Sequence, residues 1–226
     1  MPVRSGEPTR DTYRHGNLRQ ALIEAGTELA RTGGPAAIAL RETTRRAGVA
    51  PNAAYRHFPS RDALVQAISL RAMAELAHAM EEDIAALAPT DDSVQAARDR
   101  FRAVGTGYLR FARTEPGLFR TAFYVPDDMT RAQDDLSAGP SGLTPFQLLG
   151  EALDGLVDCA LMAPERRPGA EFLVWSCVHG LAVLLIDGPL RGLPDELADP
   201  AVHDLITLID KGLRPDPSPA NAPTPA

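Results

Sequence analysis

The sequence predicts an all-α protein of about nine helices, built as a small N-terminal three-helix domain followed by a larger helical bundle. Three observations predict it. Apolar residues recur at spacings of three and four throughout, and no run alternates apolar with polar residues between Gly or Asn turn pairs. The 226 residues exceed one ordinary domain of ~100 to 150. Charge divides along the chain: through Asp62 there are ten arginines against six acidic residues, and beyond it 13 basic against 24 acidic. A basic segment on an acidic body suits local contact with a polyanion, not a chain that coats nucleic acid along its length.

The elements follow in order. Asn17 with Gln20 has the pattern of a capping box, and Leu18, Leu22, Ala25 and Leu29 form one apolar stripe ended by Gly33-Gly34. A second short helix runs from about Leu40 to Ala47. Gly48 supplies a tight turn, and Pro51 opens a third helix that ends near Phe58. Pro59-Ser60 then caps a long fourth helix running to about Leu87, stopped by Pro89. Five further helices are expected, with starts at Ser93, Thr114, Thr144-Pro145 (Gln147 as capping-box partner) and Asp199-Pro200, and one covering Glu171 to Ile186. Residues 134–142 read as a loop. The ends, 1–12 and the Pro-rich 215–226, read as disordered, which leaves domains at 13–62 and 63–214.

Composition excludes several classes. Hydrophobic residues make up 44% and charged residues 23%, as in an ordinary globular protein. The longest apolar stretch, Phe172 to Ile186, is interrupted by His179 and too short to span ~30 Å of hydrocarbon, and the chain does not open as a signal peptide does, so a cytoplasmic location is expected. Cys159 and Cys177 cannot build a disulfide framework and read as small buried hydrophobes. Cys177 with His179 is the tempting nucleophile and base of an enzyme. Residues two apart on a helix point in roughly opposite directions, so the pair makes neither a dyad nor a metal site. No cofactor or metal motif occurs, and catalysis is not expected.

Two short helices joined at Gly48 match the helix-turn-helix layout. The turn sits inside a longer string: Leu40-Arg41-Glu42, then Arg46-Ala47-Gly48-Val49, then Tyr55-Arg56-His57-Phe58-Pro59-Ser60-Arg61. This string resembles the DNA-binding domain of the TetR family over roughly residues 13–65. Tyr13 to Arg19, with Trp175, His179 and Gly180, resembles the branch whose C-terminal domain is named for Trp, His and Gly. The resemblance implies a DNA-binding transcription regulator, a repressor of palindromic operators on double-stranded DNA. It puts Tyr55, His57 and Arg61 at phosphate contacts, with Arg56 in the same string, and Arg41, Asn52 and Ala53 within reach of base edges. Arg4, Arg10 and Arg14 precede the first helix, where they either track a neighbouring minor groove or simply remain solvated. Val49, Phe58 and Leu64 read as plain core. Ala39 and Ala50 stand where relatives carry Thr or Ser, and each lost cap costs ~1 kcal/mol. Thr43 and Thr44 occupy places usually apolar.

Glu171 to Ile186 is apolar on nearly every face, more than a monomer of this size can cover. With a last helix at about 198–213, it resembles the pair of helices through which the family dimerises, so a homodimer through about 170–187 and 198–213 is expected. An apolar effector pocket is expected among the other helices, with Tyr108, Phe111, Phe119, Phe123, Trp175 and His179 as lining. The alternative is a ligand-independent dimeric DNA binder, whose core would be filled.

Overall fold

A computed structural model describes residues 18–124 and 134–215. Among them are nine α-helices, three short 3-10 turns and no strand. The predicted cap at Asn17, the arginines of the arm, the lead-in Tyr13 to Asn17, and all of the Pro-rich tail but Pro215 lie outside the described residues.

Helix α1 (Leu18–Gly33) buries Leu22, Ile23, Gly26, Leu29 and Ala30, the face its periodicity predicts. It stops at Gly34, whose φ of +64° suits a residue without a Cβ. Helix α2 (Leu40–Arg46) and helix α3 (Pro51–Tyr55) flank a turn at Gly48, φ +69°. Neither helix has a side-chain cap, as Ala39 and Ala50 dictate. Thr43 and Thr44 are fully buried yet satisfied: their hydroxyls donate to the carbonyls of Ala39 (3.0 Å) and Arg41 (2.8 Å), so each presents a methyl group to the core. Helix α3 ends three residues earlier than expected. Pro59 disfavours helical backbone at Phe58, which turns inward to 2% exposure with the Arg19 guanidinium 5.3 Å from its ring centroid.

Helix α4 (Arg61–Ala85) begins at Ser60, whose Oγ accepts from the Ala63 N–H. Helix α5 (Ser93–Thr114) is capped by Asp92, one residue before the predicted start, with Oδ1 accepting from Val94 and Gln95. Helix α6 (Pro116–Ala122) opens on Pro116; Thr114, the expected start, instead donates back to the Arg110 carbonyl. At helix α7 (Pro145–Asp158) both halves of the Thr144/Gln147 capping box form. Residues 134–142 are loop with one 3-10 turn, Asp135–Ser137.

Helix α8 (Ala170–Ile186) buries one face and leaves Phe172, Leu173, Val183 and Leu184 exposed. Cys177 lies on that outward face, not in the core as expected; Cys159 is half-buried, its thiol donating to the Ser93 carbonyl. Helix α9 (Asp195–Leu213) starts before the predicted Asp199-Pro200 and carries Pro200 inside it. Asp195 and Glu196 favour the helix N-terminus electrostatically, and Pro200 lies early enough to lose one backbone bond without ending the helix. Helices α4 and α5 form the centre, with one core running from Leu22 in α1 to Ile206 in α9.

Candidate functional site

The turn at Gly48 sets α3 as the outer helix of the N-terminal domain. Ala54 is fully buried and fixes its orientation; Asn52, Tyr55, Arg56 and His57 are exposed, Tyr55 to 55%. Ala53, beside them, is half-buried. Arg41, the second residue of α2, is exposed as well. None of these polar side chains has a hydrogen bond or ion pair among the described residues, so their donors remain available to an anion or a base edge. The neighbouring cations differ: Arg45 and Arg46 are held by Glu42 at 2.6 and 3.5 Å. Hydrogen bonding from Arg45 lowers the Glu42 carboxyl below its usual range.

Arg61 differs from those available donors in having partners within the fold. Its Nε donates to the Ile38 carbonyl and its Nη2 to the Pro35 carbonyl, both at 2.7 Å. The guanidinium ties the first turn of α4 to the segment between α1 and α2, a brace that leaves its Nη1 group without a partner among the described residues.

A second feature lies in the C-terminal bundle, where Tyr108, Phe119, Phe123, Trp175 and His179 form one ring cluster with neighbouring centroids 4.7 to 6.4 Å apart. The Tyr108 hydroxyl accepts from Trp175 Nε1 at 3.1 Å and lies 2.8 Å from His179 Nδ1. Beside this cluster is an apolar cavity of about 70 Å³ between α4, α5, α7, α8 and α9. Of the six expected lining residues, Tyr108, Phe123 and Trp175 reach it. Phe119 and His179 stand behind them in the ring cluster, and Phe111 is core at 4% exposure. Sequence reasoning missed Met73, Met80, Phe101, Val104, Phe146 and Ile206, whose periodic positions are those of ordinary core.

Residues 22–68 match the family described as "Bacterial regulatory proteins, tetR family", and residues 101–209 match "Tetracyclin repressor-like, C-terminal domain". The chain belongs to the TetR family of transcriptional regulators. The C-terminal match carries a broader description than the Trp-His-Gly branch expected from Trp175, His179 and Gly180. Solved structures share the fold. One, from Rhodococcus sp. RHA1 and of unknown function, has 23% identity and a TM-score of 0.69, over 91% of this chain and 100% of that one. Another, described as "a putative tetR family transcription regulator" from Shewanella sp. PV-4, has 17% identity and a TM-score of 0.56, over 87% and 97%. A tetR-family regulator from Streptomyces coelicolor has 19% identity and a TM-score of 0.54, over 90% and 92%. No curated protein matches the chain.

In this TetR-family chain α6 joins the two features. Gly117 lies so close to the end of α1 that a Cβ there would meet the Ala30 and Arg31 carbonyl oxygens at 2.3 Å. Arg31 spans the same junction, pairing with Glu75 of α4 at 2.8 Å and with Glu115 before α6 at 2.5 Å. Two residues after Gly117, Phe119 enters the ring cluster. Neither Gly117 nor Arg31 carries a periodicity or motif signal that sequence alone could use. Among the described residues no group of His, Cys, Asp or Glu is arranged to hold a metal, and no helix is long and apolar enough to cross a membrane.

Proposed function

We propose that the protein is a cytoplasmic, homodimeric repressor that binds a two-fold-related operator and releases it when a small apolar effector occupies the C-terminal cavity. The observation that carries the DNA half is the row of exposed, unpartnered donors on α2, on α3 and in the turn that follows it. Tyr55, Arg56 and His57 serve phosphates; Arg41, Asn52 and Ala53 approach base edges, with arginine suited to guanine and asparagine to adenine. The dimer half rests on the exposed apolar residues of α8 and α9: Phe172, Leu173, Val183, Leu184, Leu197 and Leu208. Large apolar side chains left exposed along two helices mark an interaction surface, here covered by a second copy of the chain.

Release is a coupling between two conformations. An effector that swells the cavity pushes the ring cluster, and through Phe119 and Gly117 moves α6 against α1 and α4, altering the separation of the two α3 helices. It lowers operator affinity only as far as it prefers the released conformation, ~1 to 3 kcal/mol or ~5 to 150-fold in ordinary allostery. The small cavity favours a second reading, a ligand-independent DNA binder, in which no compound alters operator affinity.

The test separates contact classes. Tyr55→Phe should weaken binding about equally on all sequences, whereas Asn52→Ala or Arg41→Ala should relax preference at one base position by ~1 to 3 kcal/mol. Identical behaviour of all three variants in competition binding would contradict the assignment.

A further inference from the structure

The cavity's lining is almost wholly hydrocarbon, and its few polar groups are already satisfied. Tyr108, 5% exposed, accepts from the Trp175 indole N–H and shares a second hydrogen bond with His179 Nδ1 at 2.8 Å, so its hydroxyl is already engaged on both sides within the ring cluster. Ser137 donates its Oγ hydrogen to the Asp134 carbonyl at 2.6 Å. The remaining lining is Met, Phe, Val, Leu, Ile, Pro and Gly, with no charged side chain among it. Burial raises the Tyr108 phenol far above its usual value and lowers the His179 imidazole, so both stay neutral at pH 7.

We infer that the effector is an uncharged molecule whose inserted part is a hydrocarbon, an aromatic ring or alkyl segment with no hydrogen-bonding group, because the Tyr108–Trp175–His179 triad spends its polar capacity internally. This rests on the effector reading above and narrows it to a chemical class. A charged or strongly polar group entering here loses its hydration and finds no partner. Size adds a requirement: an apolar cavity of about 150 Å³ houses benzene elsewhere, about twice the volume present here, so the wall must yield to admit a ring. The groups suited to yield are the thioethers of Met73 and Met80, unbranched side chains with three rotatable bonds that fill irregular gaps.

The chain supplies its own reporter, since Trp175 is its one tryptophan and lies in the cavity wall. Full-length protein is titrated with toluene, benzoate and benzylammonium while Trp175 emission is followed, with operator release measured separately. Toluene should produce a saturable change and bind at least about tenfold more tightly than either ion; Met73→Ala should tighten toluene further by removing a wall that must otherwise move. Tyr108→Phe vacates the hydroxyl and leaves Trp175 Nε1 and His179 Nδ1 unmatched, so benzyl alcohol, a weak ligand of the wild type, should gain at least about tenfold relative to toluene. Benzoate or benzylammonium binding as well as toluene, or no saturable binding of toluene by wild type and Met73→Ala alike, overturns the proposed class. Benzyl alcohol failing to gain on toluene in folded Tyr108→Phe refutes the spent triad. Toluene that saturates Trp175 yet leaves the operator bound supports the class and instead counts against effector release.

Discussion

Arg61→Ala distinguishes a brace from a phosphate contact. The variant removes two charge-assisted N–H···O=C bonds, each 2.7 Å long, from the joint between α4 and the segment before α2. Such bonds contribute ~1.5 to 3 kcal/mol each, but this side chain is only half-buried and water replaces part of the loss. The net is ~2 kcal/mol, which for a chain of this length lowers Tm by ~4 to 8 °C. Operator affinity should fall because α2 and α3 lose their alignment. The slope of log K against log salt should hold, since no phosphate neutraliser has been removed. Thermal unfolding without DNA and operator titrations from low to moderate salt supply both quantities. An unchanged Tm with a slope reduced by ~0.9, the signature of one lost phosphate contact, would refute the bracing role.

Three further expectations follow from single features. Ala160 sits at φ +55° after α7, where the Leu161 N–H reaches the Leu156 carbonyl in a Schellman closure, so Ala160→Gly should stabilise by ~1 kcal/mol in denaturant unfolding; destabilisation would show that the left-handed backbone is not strained. Leu173→Glu or Leu208→Glu, at 71% and 67% exposed positions, should shift the protein from dimer to monomer in sedimentation without lowering helix content, and a persistent dimer would place the interface elsewhere. Burial lowers the His179 pKa below its ordinary 6.5. The unfolded chain therefore binds a proton that the folded chain refuses, and stability present above pH 6.5 is lost as pH falls through that point toward the folded value. His179→Asn should flatten Tm against pH in that window; an equal slope in both proteins would assign the effect to other groups.

Much of this was legible in the sequence because local chemistry dictates it. The Gly48 turn, the Ser60 cap and the Thr144/Gln147 box each depend on residues within a few positions of one another, and all three formed as read. Reasoning failed where a distant partner decided. The string around Arg61 gives no sign of the carbonyls 23 and 26 residues away that accept from it. Six residues that line the cavity have the same periodic signature as packed core, and only the gap between helices distinguishes them. Cys177 was misjudged because an apolar helix does not reveal which of its faces a single chain covers.

The central claim, that α3 reads a symmetric operator as part of a dimer, is tested most directly by selection from random double-stranded DNA with the full-length protein. The account predicts a two-fold-related consensus with half-site centres one helical turn apart, ~34 Å, or a multiple of it, that is lost with Asn52→Ala and Arg41→Ala together. An asymmetric consensus, or one unchanged in that double variant, would contradict it.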